Sequence, residues 1–308
     1  MTSSPPPNAP LILEAQANFA LNLLCGVSTE DRSCIVSPFS VAVTLSMVYA
    51  GAKGKTAEEL GELLGNGVPE SEVHQYFGTL LKSIANGQNI SILETGNKVY
   101  VNKGFRVKSA FKEQIEENYG GQMETVDFKD SEGTAELDMM HLTANFFYFE
   151  DPELQFLGMP YKGEKEFMFV LLPKKRFGLT KLLAQLDGKK LVELIKKRDK
   201  CKVKVQLPRF TLEATHELNE PLTNMGMPTA FTDNANFEGI SGKKPLLISK
   251  VVQKAFIEVN EKGTVAAAVT KGCVRYGASK EERFVADHPF CAFLIRDDTV
   301  LFSAIFRK

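Results

Sequence analysis

Residue types suited to chemistry are scattered along this chain, and their spacing is wrong for most reactions. Gly54-Lys55-Thr56 has the tail of a phosphate-binding loop. That loop needs a glycine five residues before Gly54 and a strand leading into it, so that its backbone N–H groups can wrap the phosphates. Tyr49 stands at that position and follows a helical pattern, so the segment reads as a helix–helix junction. The histidines His74, His141, His216 and His288 form no HExxH pair, and His216-Glu217 lacks a second histidine four residues after the first. They read as hydrogen-bonding residues rather than metal ligands. Gly239-Ile-Ser241-Gly242 is one residue too short for a nucleophile elbow. A dispersed Ser-His-Asp triad is not excluded, but nothing points to one, and no catalytic residue, metal or cofactor is assigned. The pairs Glu116-Glu117 and Glu281-Glu282 sit in polar sequence and read as solvated.

Cys25, Cys34, Cys201, Cys273 and Cys291 form no CxxC. An odd, sparse set of this kind reads as free thiols in a reducing compartment. Residues 189–204 (KKLVELIKKRDKCKVK) hold eight basic and two acidic residues. Lys189, Lys190, Lys196, Lys197 and Arg198 are a candidate weak polyanion patch. The alternative is the solvent face of a helix that runs into an edge strand, with lysines deterring further pairing.

The elements that must position these residues change character along the chain. Residues 11–25, a segment opened by Ser37-Pro38, Thr56-Ala-Glu-Glu59 as a capping box running to Gly65, Val73–Ile84 and Val107–Tyr119 all read as helices. Strands are expected at 90–101, Met123–Phe128, Phe146–Phe149, Phe167–Leu172, Val203–Leu207 and Leu246–Val259. A hairpin of Phe290–Arg296 and Val300–Phe306 turns through Asp297-Asp298-Thr299. Helices first and strands after give an α+β chain, expected as one domain over 11–308 behind a loose Pro-rich leader at 1–10. The net charge of −1 argues against a general nucleic-acid binder. No window has the run of apolar residues that a membrane helix needs, and the first residues lack a signal peptide's basic and apolar regions. A cytoplasmic or intracellular monomer is expected.

One stretch breaks the pattern. Residues 261–283 (EKGTVAAAVTKGCVRYGASKEER) are small and charged and lie between strands. A connection of that length inside a compact domain points to function or disorder.

Taken in order, several segments resemble the serpin family across nearly the whole chain. They are Asn18-Phe-Ala20, Ser37-Pro-Phe-Ser40, Leu45-Ser-Met-Val-Tyr-Ala-Gly-Ala52, Gly54-Lys-Thr-Ala-Glu-Glu-Leu60 and Asn97-Lys-Val-Tyr100. Met139-Met-His141, Leu171-Leu-Pro173, Leu207-Pro-Arg-Phe210, Lys254-Ala-Phe-Ile-Glu-Val-Asn-Glu261 and Asp287-His-Pro-Phe290 follow. The resemblance implies large mixed and antiparallel sheets and an exposed reactive loop. It implies inhibition of a serine protease, or a cysteine protease, as a suicide substrate. The cut loop enters the main sheet as a new strand, drags the protease with it, and draws on a metastable fold. A non-inhibitory carrier or chaperone-like protein on the same scaffold is the alternative. An extracellular setting, by family habit, is the alternative location.

On this resemblance Glu261, Lys262, Gly263, Thr264, Val265, Ala266, Ala267 and Ala268 are the hinge, whose small side chains can enter a sheet. Counting from Gly263 puts the cleaved bond at Gly277-Ala278. Counting back from Phe284 puts it nearer Arg275 or Tyr276. Arg275 suits a trypsin-like protease and Tyr276 a chymotrypsin- or cathepsin-like one. The resemblance also breaks once. Glu132–Leu137 looks like the start of the family's next helix, yet Asp138-Met-Met-His141 belongs to a much later strand. The family segment between them, a helix plus central sheet strands, is missing, and the family's usual Trp is missing with it, in agreement with a Trp count of zero. Loss of a strand beside the insertion site puts inhibition itself in question.

Overall fold

Apolar residues at the helix period make the first third of the chain helical, and alternating or fully apolar runs make the rest sheet. The computed structural model describes residues 5–85, 93–101, 108–119, 139–161, 163–197, 199–241, 246–260 and 281–307. In chain order the elements begin with α1 (Ala9–Val27), β1 (Cys34–Val36), α2 (Pro38–Tyr49), α3 (Gly54–Gly65), α4 (Glu70–Ala85), β2 (Leu93–Val101) and α5 (Ser109–Tyr119). Next are β3 (Met139–Glu150), β4 (Leu154–Pro160), β5 (Glu166–Pro173), α6 (Leu179–Ala184), α7 (Gly188–Lys196), β6 (Lys200–Pro208) and β7 (Phe210–Glu217). Then come α8 (Asn219–Asn224), a 3-10 turn (Thr229–Phe231), β8 (Ile248–Val259), β9 (Glu282–Val285), β10 (Phe290–Arg296) and β11 (Thr299–Phe306).

The strands form two sheets. The larger has the order β1-β11-β10-β5-β4-β3-β6-β9, and the smaller has β2-β8-β7. Every pairing is antiparallel except β6 with β9. One apolar core lies under α1, α2, α3 and α7, and a second joins β7 and β8 to the large sheet. In the second, the rings of Phe210, Phe290 and Phe306 meet at centroid distances of 5.1–5.9 Å and tie the two sheets together. The expected final hairpin is present. It turns through Asp297 (φ 48°) and Asp298 (φ 61°), the left-handed pair that a two-residue hairpin demands.

Several local expectations change in the folded chain. Ser37 caps α2 as expected, accepting from the Ser40 N–H at 3.3 Å. Thr56 caps nothing, because α3 begins earlier, at Gly54. Thr56 Oγ1 accepts from the Asn236 N–H, and the Glu59 carboxylate accepts from the N–H and hydroxyl of Thr229. Both side chains of the supposed capping box therefore bind a distant segment. Order also reaches further toward the N-terminus than the expected leader, since Asn8 donates twice to Glu72 and α1 starts at Ala9. The expected strand Met123–Phe128 and residue Val107 lie outside the described residues.

α2, α4 and α5 meet at a buried polar cluster. His74 is 3% exposed, and its Nδ1 lies 2.5 Å from the Tyr119 hydroxyl, which also bonds Ser46. Burial lowers the His74 pKa below its ordinary 6.5, and the bond to Glu70 opposes the shift only in part. His216, which bonds the Ile35 carbonyl, is lowered for the same reason. Below a pH of about 6.5 the unfolded chain therefore takes up protons that the folded chain resists, so stability is full above that value and is lost as the pH falls. The thermal midpoint should drop between about pH 7.5 and 5. His74→Gln should flatten that slope, and a midpoint indifferent to pH over this range would refute the assignment.

Candidate functional site

The expected hinge, Glu261 to Ala268, and the candidate cleavage residues Arg275, Tyr276, Gly277 and Ala278 lie outside the described residues, as does Cys273. Both ends that carry the segment are described. Asn260 follows β8, in the small sheet, and Glu281 precedes β9, at the edge of the large one. The segment 261–280 thus runs from one sheet to the other.

The pairing of β8 decides what such a segment can do. On one side β2 runs antiparallel to it, from Leu93 opposite Ile257 to Val101 opposite Ile248. On the other, β7 runs antiparallel from Phe210 opposite Val259 to Glu217 opposite Val252. Both hydrogen-bonding edges of β8 are taken along most of its length. A chain that leaves the end of β8 and folds back along it must run antiparallel to β8, so it would compete with β2 for the same groups. If it entered between them it would lie parallel to β2, the slightly weaker of the two ladder geometries.

β8 is also fastened from behind. Gln253 is fully buried in an apolar strand, and its amide Nε2 donates to the Ser37 carbonyl at 2.8 Å while its Oε1 accepts from the Ser37 N–H at 3.1 Å. The Ser37 hydroxyl donates to the Leu301 carbonyl on β11 at 2.8 Å. One serine therefore caps α2 and joins β8 to β11. Lys254, beside Gln253, pairs with Glu213 on β7, both side chains nearly buried. Sequence reading quoted Ser37 and Lys254 as motif residues but missed Gln253. The available signal was a long amide inside an apolar strand, which must find partners when buried.

The remaining candidates are dispersed. Lys189 and Lys190 lie in the first turn of α7, whose N-terminus Asp187 caps through the Lys190 N–H. Lys196 and Lys197 lie two turns further on, with the Lys197 ammonium 3.3 Å from the centre of the Phe149 ring. Arg198 lies outside the described residues. The alternative reading of this region, an edge strand protected by lysines, holds for part of β6. β3 flanks the whole strand, whereas among the described residues β9 pairs only with Val203–Gln206, so Lys204 lies on a covered stretch and Lys200 and Lys202 on an open one. The last residues of the expected loop supply that partner, because β9 begins at Glu282. The four histidines occupy four separate places. Of the two not yet placed, His141 stands exposed on β3, while His288 bridges Asp287 and the Pro173 carbonyl.

Replacing Gln253 with leucine would leave the Ser37 N–H buried without its partner, at about 1–3 kcal/mol, and would take from the Ser37 carbonyl one of its two donors, the other being the Val41 N–H. Gln253→Leu should therefore unfold at clearly lower denaturant than the parent, and equal midpoints would show that the bonds carry little.

The sequence matches the family described as "Serpin (serine protease inhibitor)" over residues 14–137 and 130–306. The two matches meet at 130–137, where the resemblance broke. Serpin B6 of Macaca fascicularis is 30% identical over an alignment covering 96% of this chain and 99% of that one. The leukocyte elastase inhibitor of Homo sapiens is 29% identical, covering 91% and 94%. Among solved structures, uncleaved ovalbumin superposes with a TM-score of 0.77 at 22% identity, covering 96% and 99%. The serpin B6 alignment is 375 residues long and this chain has 308, so that relative holds residues within the aligned region that have no counterpart here.

Proposed function

The chain belongs to the serpin family, and from that premise we propose that it offers residues 261–283 as bait to a serine-type endopeptidase, with a cysteine-type enzyme as the alternative target. On this reading it is an inhibitor rather than a catalyst, and most encounters end in cleavage. The closed β2–β8 ladder is the observation that carries the second half of the statement.

The chemistry runs as follows. The protease nucleophile attacks the scissile carbonyl, the peptide bond breaks, and the new amine leaves with the C-terminal part of the loop. The N-terminal part stays bound to the enzyme as an ester, or as a thioester for a cysteine enzyme. Water then hydrolyses that bond unless the loop enters the sheet first and carries the enzyme away. Here entry requires β2 to leave β8 and re-pair in parallel with the incoming strand. Each backbone group opened on the way costs about 1–3 kcal/mol while it lacks a partner. Hydrolysis therefore wins more often than it would with a ready slot.

Support for a protease partner comes from the family and from the human relative whose printed name is leukocyte elastase inhibitor. An intracellular setting is proposed for a monomer of one domain. The four described cysteines are free, and burial pushes the Cys34 thiol up to about 11, where it is inert to exchange.

The test is incubation with trypsin-like, chymotrypsin-like and cathepsin-like proteases. A loop cut with a minor SDS-stable adduct is expected, and mass spectrometry of the fragments should place the cut after Arg275, Tyr276 or Gly277. Thr264→Arg, which puts a long charged side chain on the inserting strand, should abolish the adduct and spare the cut. Quantitative adduct at equal molar ratio would refute the closed-sheet reading. Neither adduct nor cut with any protease would refute the bait.

A second reading, a carrier on the same scaffold, is favoured by one feature. A cleft of about 320 Å³, mostly apolar, lies between Pro6, Leu13, Tyr76 and Leu80, with Lys196 and Asp297 at its rim. An apolar aromatic anion suits it, the acid group facing Lys196. Titration with anilinonaphthalene sulfonate should show a single saturable site that Lys196→Glu weakens. Non-saturating binding, or binding indifferent to that change, would remove this reading.

A further inference from the structure

The lysines of β6 stand at the foot of the bait segment, and one of them, Lys204, lies where β9 already covers the strand. Lys200, Lys202 and Lys204 are exposed and alternate with a half-buried Cys201 and the buried Val203 and Val205, so the strand puts all three on one face. Opposite them β3 places Phe147, Asn145 and Thr143. Beside them β9 runs parallel and sets the exposed Arg283 in register with Lys204. Four cations thus share one face of two adjoining strands, β6 and β9. Glu281 answers Lys202 at 2.9 Å, and Lys200 leans on the Phe147 ring at 4.8 Å. Among the described residues, Lys204 and Arg283 form no ion pair.

That arrangement is costly by itself. Like charges side by side in neighbouring strands repel, and lysines along a strand are ordinarily explained by an open edge. Here β9 covers the edge at Lys204 and sets Arg283 directly beside it, so edge protection does not explain that pair. An anionic partner would relieve the repulsion. The position of the stripe identifies the partner. Glu281, the first described residue after the segment 261–280, touches Lys202, so the described end of that segment is fastened at the stripe. Three lysines at alternate positions span only about 13 Å, the scale of a few carboxylates on a folded surface rather than of an extended polymer. Thr143 and Asn145 add neutral hydrogen-bonding groups beside the cations.

We propose that Lys202, Lys204 and Arg283 form a docking surface for an acidic patch on the protease that takes the adjoining bait segment. This rests on the bait reading above. The surface speeds encounter and orients the enzyme toward the loop, and its contribution falls with salt because the charges are exposed.

The probes are an anionic and a cationic isoform of trypsin, since the segment offers both of them Lys271, Arg275 and Lys280. Cleavage inside 261–280 by the full chain is followed by mass spectrometry at low and high salt. The anionic isoform should lose about tenfold in kcat/KM when Lys202 and Lys204 are both changed to Glu, and should lose the same advantage in high salt. The cationic isoform should not slow. Lys204→Gln, a neutral change on the surface, should act in the same direction by a smaller factor and guards against misfolding of the double variant. Equal rates for parent and variants with both isoforms would overturn the docking surface and leave the bait standing. Retention on heparin that is lost in the variants while both cleavage rates stay unchanged would assign the stripe to a polyanion and overturn the proposal. No cleavage anywhere in the segment would overturn the bait reading and this surface with it.

Discussion

β8 has two hydrogen-bonding edges, and both are occupied. A strand can pair with one neighbour on each side, so β2 and β7 together exhaust what β8 can offer. Everything distinctive about this chain follows from which segment holds the β2 side. In a chain with a further strand in the sheet, that place would be contested between sheet and loop. Here β2 pairs antiparallel with β8 itself, which satisfies the backbone groups on that side of the strand. The same pairing that stabilises the shortened sheet stands in the way of a returning loop.

The closed sheet is held by packing that reaches well beyond it. Phe210 on β7 packs at a tilt against Phe290 and Phe306 on the large sheet, so the small sheet cannot shift without opening the second core. Ser37 joins the N-terminus of α2 to Gln253 on β8 and to Leu301 on β11. The electrostatics sit apart from this mechanical centre. The lysine stripe of β6 lies on the other sheet, where it can act on a partner without touching the ladder.

How much was legible in the sequence depended on the range of the interaction. The α2 cap at Ser37, the αL residue Asn66 closing α3 and the Asp297-Asp298 turn are local, and local chemistry can be read along the chain. Thr56 and Glu59 have the spacing of a capping box, yet both serve the 229–236 segment, because tertiary donors outcompeted the local ones. The strands β1, β4 and β7 were missed for a related reason. β1 is three residues long, and β4 carries Gly158 and Pro160, which read as breakers. Gly158 is needed where the Phe169 ring crosses it, a contact that exists only once β4 and β5 pair.

By itself the sequence determined the class of the fold, the ends of most helices, the place of the unusual segment and the point where the family pattern breaks, since each of these rests on periodicity, capping or motif order. Only the tertiary structure decided which strand would fill the gap left at that break. It also decided that Gln253 would meet Ser37 and that β9 would cover β6 at Lys204. Strand pairing joins residues far apart in the chain through backbone groups that every residue carries, so no side-chain pattern announces the partner.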